Sequence, residues 1–258
     1  MLIDAHLHLD QYPVEKIDEY IAAWQQAGVE KIVAVSTNLA SSYRTLEWKA
    51  KYPHFIYAAI GYHPEQSLPR EQEIDELLAL LKKERKLISA IGEVGLPYYS
   101  LDKGKAPQEV LEAFLELLSV FTEQAKREHL PILLHAVHEQ AAIALAMLVA
   151  NQIEKAHFHW LKASPQVVEE IVARGYYISV TPEVCYRQRD QQLLRQVPLE
   201  RLLLETDGPW PYEERFSGRL TTPLFLEEVA EQVALIKQME KDTVLYQCRQ
   251  NLVNLFGE

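Results

Sequence analysis

The segment LIDAHLHL, residues 2–9, is a short aliphatic run in which two histidines alternate with leucines. Seven further apolar runs follow it along the chain, and longer segments of helical period separate them. Strands that are covered on both faces show such near-continuous apolar runs. The predicted strands are residues 2–9, 31–37, 55–63, 88–95, 131–137, 155–160, 176–182 and 202–207.

Between these runs, apolar residues recur at three- and four-residue steps, which is typical of amphipathic helices. The predicted helices include residues 15–28, 71–85, 108–129, 138–150, 165–175 and 223–239. Strands that alternate with helices predict an α/β protein, either a closed (β/α)₈ TIM barrel or a doubly wound open sheet. A length of 258 residues suits a barrel that forms a single domain over residues 1–258.

Composition limits the classes of function. The net charge is −11 and the pI is near 5.4, which argues against tight, non-specific binding of duplex nucleic acid. A phosphate substrate stays possible because bound divalent cations can outweigh local negative charge. The two cysteines are too few for a disulfide framework, and the N-terminus has no signal-peptide or membrane-spanning character. We therefore expect a cytoplasmic protein without membrane contact and without an obligate protein partner.

Histidines and carboxylates are concentrated at the predicted strand ends. Six of the nine histidines lie within or at the end of a strand, and two carboxylates end strands 4 and 8. In a barrel, catalytic groups come from the C-terminal ends of several strands. The residues at these ends are His6, His8, His63, Glu93, His135, His157, His159 and Asp207.

The His6-Leu7-His8 motif places both imidazoles on one face of a strand, so that they can share a metal ion. Two core or surface histidines are the alternative, which Glu93 and Asp207 make less favourable. Glu93 can bridge two metals through its two oxygens, although a structural ion pair would also explain it. Asp207 can bind a metal and accept a proton from the attacking water, whereas the alternative is a helix N-cap.

The chain resembles the TatD-related metal-dependent hydrolases, a branch of the amidohydrolase superfamily. The resemblance covers the whole chain and is carried, in order, by His6-Leu7-His8, Gly61-Tyr62-His63-Pro64, Ile91-Gly92-Glu93-Val94-Gly95-Leu96, Leu134-His135, His159 and Glu205-Thr206-Asp207. It implies the (β/α)₈ barrel. It also implies one metal bound by His6, His8, Glu93 and Asp207, a second bound by Glu93, His135 and His159, and His63 facing the substrate.

The chain also departs from the family pattern. Pro97 stands where family members usually have Asp, and the segment His135-Ala136-Val137-His138 lacks the Arg and Asp of the usual motif. Trp160 follows His159 where Cys is common, and the Arg-Asn-x-Pro segment reads Arg219-Leu220-Thr221-Thr222-Pro223. The metal-binding motifs are therefore kept, while several substrate-facing positions differ.

Weaker candidates lie on loops at the same end of the predicted barrel. Lys162, Arg187, Arg189 and Arg219 can contact phosphate oxygens, although each can also be a solvated surface charge. Lys162 and Arg219 are the predicted substrate contacts. The Pro- and Gly-containing loop at residues 208–222 is typical of a flap over a site. His157, two residues before His159, is predicted to be a packed core histidine.

These patterns predict metal-assisted hydrolysis with one or two divalent cations, Zn²⁺, Mn²⁺ or Mg²⁺, and with Asp207 and Glu93 as the catalytic residues. Three functions remain open. The first is a phosphodiester hydrolase, like a 3′-5′ deoxyribonuclease, that acts on a small molecule or on single-stranded nucleic acid. The second is an amidohydrolase that acts on a small amide or ester, and the third is a non-catalytic metal-binding interaction protein.

Overall fold

Eight parallel strands form one sheet in the computed structural model, which describes residues 2–101 and 107–257. Each strand pairs with the next one along the chain. The strands are β1 (Leu2–Leu7), β2 (Val29–Val35), β3 (Ile56–Ile60), β4 (Ile88–Gly95), β5 (Ile132–His135), β6 (Ala156–Phe158), β7 (Tyr177–Val180) and β8 (Leu202–Leu204). All eight predicted strands are present, and each is shorter than or equal to its predicted run.

The first and last strands meet, which decides between the two predicted topologies. Leu7 forms a parallel bridge with Gly208. The amide of His8 donates to the Gly208 carbonyl at 2.7 Å, and the amide of Asp207 donates to the His6 carbonyl at 2.9 Å. The sheet therefore closes on itself just beyond β8, and the predicted (β/α)₈ barrel is confirmed.

Helices follow the strands along the chain. They are α1 (Ile17–Gln26), α2 (Leu39–Lys51), α3 (Glu71–Lys83), α4 (Pro107–Glu128), α5 (Glu139–Ala150), α6 (Pro165–Ala173), α7 (Gln188–Gln196), α8 (Leu226–Lys237) and α9 (Lys241–Phe256). The sequence analysis did not name α2, α7 or α9. The buried face of α2 includes Ser41, Ser42 and Thr45, so apolar periodicity is weak there. Within residues 2–101 and 107–257, no helix combines the length and the apolar character needed to cross a membrane.

The N-terminal end of the barrel is closed by apolar packing. Leu252 and Leu255 of α9 join an apolar cluster with interior strand residues such as Val33 and Leu203. The ring of Phe256 stacks on Tyr57 with 4.2 Å between centroids. The opposite, C-terminal end is where the histidines and carboxylates gather, so chemistry is confined to that end, as is usual in this fold.

Asp4 stabilises the closure between β1 and the segment after β8. Its buried Oδ1 accepts the amides of His6 at 3.2 Å and Thr206 at 3.0 Å, and its Oδ2 lies 2.5 Å from Thr206 Oγ1. Burial raises the pKa of Asp4 to about 8. The carboxyl accepts both amides through Oδ1 and the Thr206 hydroxyl through Oδ2.

Asp4→Asn is expected to preserve most of this network, because the asparagine oxygen still accepts both amides and its NH₂ group can donate to Thr206 Oγ1 once the hydroxyl proton turns away. Asp4→Ala leaves two buried amides without a partner and is expected to destabilise the fold by roughly 2–4 kcal/mol. Urea unfolding of both variants in chelator, which removes any contribution from metal, measures the difference. Equal midpoints for the two variants would contradict this account of the closure.

Candidate metal centre

Glu93, at the C-terminal part of β4, is fully buried and lies at the centre of the predicted site. Its Oε2 lies 3.1 Å from Nε2 of His6 and 3.5 Å from Nε2 of His8, both from the end of β1. Period-two alternation along the strand turns the two imidazoles to the same side. One oxygen of a single carboxylate therefore faces both rings of the His-x-His motif.

Asp207, in the segment after β8, is the fourth residue of this group. Its Oδ1 lies 3.6 Å from His6 Nε2 and 3.3 Å from His8 Nε2. Four donors about 2.0–2.1 Å from one cation in a tetrahedron lie roughly 3.3–3.4 Å from each other. His6 Nε2, Glu93 Oε2 and Asp207 Oδ1 are buried and find no hydrogen-bond partner among the residues that the structure describes. Orphaned lone pairs at these spacings fit a divalent cation.

The other oxygen of Glu93 faces a second set of imidazoles. Its Oε1 lies 2.9 Å from His159 Nε2 and 3.0 Å from His135 Nδ1, and these two nitrogens are 3.4 Å apart. His135 ends β5, and His159 follows β6. Adjacent strands in the barrel thus bring the two rings together, and the three donors fit a second cation that shares Glu93 with the first group.

His63, in the loop after β3, lies beside the second group. Its Nε2 is 3.2 Å from Glu93 Oε1, and its Nδ1 accepts the backbone amide of Glu65 at 3.0 Å. That acceptor role places the proton of a neutral imidazole on Nε2. A protonated nitrogen is a hydrogen-bond donor and not a metal ligand, so this tautomer suits contact with an anionic or carbonyl oxygen.

The electrostatics of the centre keep both carboxylates ionised. Burial raises the pKa of Glu93, but the surrounding imidazoles of His63, His159 and His6 outweigh burial and hold that pKa well below its usual range. Burial also raises the pKa of Asp207, but the His8 imidazole, 3.3 Å from Oδ1, outweighs burial and lowers that pKa. Two ionised carboxylates among imidazoles form the mixed nitrogen and oxygen donor set that zinc and manganese accept.

Two further carboxylates orient the imidazoles of the second group. Glu205 Oε1 lies 3.3 Å from Nδ1 of His159, and Glu65 Oε1 lies 3.4 Å from Nε2 of His135. In each ring the opposite nitrogen is the one that faces Glu93. Histidines that bind metals are commonly fixed by such a carboxylate. Neither residue was predicted to have a role. Glu205 lies in the Glu205-Thr206-Asp207 motif, and Glu65 lies two residues after His63.

His157 lies within the barrel outside these donor groups. It is fully buried, and its Nε2 lies 2.8 Å from Ser179 Oγ. Burial lowers its pKa to about 3, so the ring is neutral at physiological pH. This placement agrees with a packed core histidine, and it leaves His159 as the residue of the pair that faces Glu93.

A cavity of about 670 Å³ opens above the two groups, and its wall includes His63, Lys162 and Trp210. Trp210 belongs to the loop that was predicted to form a flap. Arg219 is not part of this wall: its guanidinium is 2.8 Å from Glu228 Oε1 and lies over the ring of Phe225. The structure therefore brings Lys162 to the site but not Arg219.

Arg187 and Arg189 also lie in ion pairs. Arg187 pairs with Glu213 at 2.6 Å, and Arg189 pairs with Glu183 at 2.6 Å. Glutamates therefore neutralise both guanidinium groups, and the sequence alone did not indicate these ion pairs. A cavity of about 580 Å³ near Arg189 shares Lys162 with the site but contains none of the donor groups around Glu93.

Glu65 is expected to be a positioning residue for His135. Its carboxylate accepts the amides of Tyr98, Tyr99 and Ser100 at 2.7, 3.0 and 2.7 Å, so it also holds the loop after β4. Glu65→Gln replaces one acceptor by a donor that opposes these amides. Metal affinity should fall by about 10–100-fold, as measured by competition with a chromogenic chelator. The exposed Glu71→Gln should not change the affinity, and equal affinities in both variants would rule out this role.

An eight-stranded barrel that gathers imidazoles and carboxylates at its C-terminal mouth fits the class of metal-dependent hydrolases. The chain belongs to the TatD related DNase family, whose model matches residues 3–257. It is therefore a TatD-type metal-dependent hydrolase, as the motifs predicted.

Similar proteins agree with this assignment. A metal-dependent hydrolase of Haemophilus influenzae is 40% identical over 213 residues, 83% of each chain. A 3′-5′ ssDNA/RNA exonuclease TatD of Erwinia amylovora is 28% identical and covers 93% of each chain. The crystal structure of a TatD homologue from Escherichia coli superposes with a TM-score of 0.88 at 27% identity, covering 100% of this chain and 98% of that one.

Proposed function

We propose that this protein hydrolyses phosphodiester bonds in short single-stranded nucleic acid, in the manner of a 3′-5′ deoxyribonuclease. The observation that carries the proposal is the position of Glu93, whose two oxygens face two separate groups of donor atoms. Two cations bound on either side of this carboxylate would supply the Lewis acidity that suits an in-line displacement at phosphorus. The exonuclease relative from Erwinia amylovora supports the same reaction.

The proposed ligands of the first cation are His6, His8, Glu93 and Asp207, and those of the second are Glu93, His135 and His159. Imidazoles predominate among these donors, which favours zinc or manganese over magnesium because magnesium prefers oxygen ligands. Divalent cations at such a centre supply Lewis acidity and a water nucleophile at neutral pH. A cytoplasmic setting stays a prediction.

The side chains of the protein perform the proton transfers and the positioning. Asp207 is ionised, and while its Oδ1 faces His6 and His8, its other oxygen can take the proton from the attacking water and return it to the leaving oxygen. His63 Nε2–H and the Lys162 ammonium line the cavity and can donate to non-bridging phosphate oxygens. Glu93 and the outer carboxylates Glu65 and Glu205 keep the imidazoles oriented.

A substrate panel tests the proposal. Protein loaded with Zn²⁺ or Mn²⁺ is offered a single-stranded oligonucleotide, a simple phosphodiester and a series of N-acetyl amides and esters. Metal-dependent release of mononucleotides from the 3′ end is the expected result. Turnover of amides or esters alone would replace the proposal by the small-amide alternative, and bound metal without any turnover would favour a non-catalytic role.

A further inference from the structure

The cavity wall above the two donor groups carries three large aromatic side chains that metal chemistry does not require. They are Tyr99, Trp160 and Trp210. Trp210 is 55% exposed and Tyr99 is 43% exposed. A single exposed aromatic side chain is ordinary, but several that cluster at one cavity commonly mark a surface that contacts a ligand. Together with Lys162, these residues are called the aromatic rim below.

Trp160 is held rigidly in this wall. Its backbone has φ of 39°, a left-handed conformation that a bulky residue rarely adopts and that strained functional sites retain. Its amide donates to Glu205 Oε1 at 2.8 Å, and its indole N–H donates to Glu183 Oε2 at 3.2 Å. The same Glu205 orients His159. The position of the indole is therefore coupled to the position of a proposed metal ligand.

The other members of the rim are arranged around Trp160. Trp210 meets it edge to face, with 5.8 Å between ring centroids and an interplanar angle of 74°. Lys162 Nζ lies 4.4 Å from the Trp160 ring centroid and donates to the Tyr99 hydroxyl at 2.9 Å. Trp160 directly follows His159, and Trp210 lies three residues after Asp207. Both tryptophans of the rim therefore closely follow a proposed metal ligand in the sequence.

Charge around the cavity does not favour recognition through a long phosphate backbone. Glu65 and Glu183 line the same wall. The nearby guanidinium groups of Arg187, Arg189 and Arg219 lie in ion pairs with glutamates. A strand of nucleic acid that is not held by a basic groove needs another source of affinity, and stacking of bases on aromatic side chains supplies one that does not depend on sequence.

We infer that the aromatic rim is a nucleobase subsite, in which the base next to the scissile phosphate stacks on the exposed ring of Trp210 and meets Trp160 edge to face. Lys162, whose ammonium lies beside Trp160 and Tyr99 in the same wall, can meet a phosphate oxygen. This inference rests on the proposed function, because it assigns the substrate's bases to one wall of the same cavity. It predicts a preference for nucleotides over the same sugar-phosphate chain without bases.

Equilibrium binding tests the subsite separately from hydrolysis. In Asp207→Asn protein with Mn²⁺, fluorescence anisotropy compares a labelled single-stranded thymidine tetranucleotide with a tetramer of abasic sugar phosphates. The base-bearing probe should bind about tenfold or more tightly, which is the range for stacking on one aromatic residue. Adding Trp210→Leu should remove most of this preference, and Trp210→Phe should keep part of it because a π face remains.

Tyr246→Leu, at a 63% exposed aromatic on α9, is the matched control and should keep the full preference. Thermal melting of each variant confirms that the fold is intact. Equal binding of the two probes, or a preference that Trp210→Leu leaves unchanged, would overturn the nucleobase subsite. Cleavage by the wild-type protein separates the two proposals.

If wild-type protein cleaves base-bearing and abasic tetramers at the same rate, phosphodiester hydrolysis stands and the subsite is wrong. If neither probe is cleaved while Trp210 still governs a preference for bases in binding, the subsite stands and the proposed hydrolysis is wrong. Faster cleavage of the base-bearing probe, lost in Trp210→Leu, supports both.

Discussion

Glu93→Gln is expected to lose bound metal and hydrolytic activity together, with metal affinity reduced by roughly 100-fold or more. The carboxylate offers one oxygen to His6 and His8 and the other to His63, His135 and His159. A glutamine keeps only one oxygen, and its NH₂ group would direct protons at one of the two groups. Whichever way the amide is turned, one proposed cation site loses a ligand and gains a donor that repels the ion.

Metal content after gel filtration, measured by plasma mass spectrometry, checks this prediction beside the hydrolysis rate. Glu30→Gln is the matched control, since Glu30 makes a two-pronged ion pair with Arg249 at 2.8 Å and has no contact with Glu93. The control should retain metal and rate. Full metal content in Glu93→Gln would refute the bridging role. If activity were lost while metal was retained, Glu93 would act in the reaction and not as a metal ligand.

Local pattern was sufficient to predict eight strands that alternate with helices, and the resemblance to the TatD-related hydrolases then implied the closed barrel and the residues that surround Glu93. Apolar runs mark strands, and a parallel barrel brings all the strand ends to one mouth, so His6 and His135 must lie near each other although 129 positions separate them. Polar residues at the end of apolar strands are costly to bury, which is why they indicate function rather than packing.

Contacts between loops could not be predicted in this way. Glu65 reaches His135 from a different loop, and Arg219 pairs with Glu228 instead of facing the cavity. Loop conformation depends on partners that are distant in sequence. A loop also lacks the regular periodicity that predicts which way each side chain points in a helix or a strand. For the same reason the sequence analysis treated Trp160 only as a departure from the family pattern, whereas the structure places its ring in the cavity wall.

The position of Asp207 makes it suitable as a proton acceptor at little cost to the fold. Its φ is 49°, in the left-handed region, where Asp and Asn are tolerated better than other non-glycine residues. Its amide is bonded to the His6 carbonyl, so the backbone is fixed by the barrel closure and not by the carboxylate. The adjacent His8 imidazole holds the pKa of Asp207 below its usual range despite burial, so the carboxylate is ionised at neutral pH.

Asp207→Asn is therefore expected to lower kcat by about 10²–10⁴-fold, the usual contribution of a general base, while the melting temperature of the metal-free protein changes by only a few degrees. Asparagine suits the same φ, and its oxygen can still face His6 and His8, but it cannot accept a proton. Asp18→Asn, at an exposed ion pair with Lys51, should leave kcat unchanged. Wild-type turnover by Asp207→Asn would exclude Asp207 as the base. A loss of rate matched by an equal loss of bound metal would show that Asp207 acts as a ligand alone.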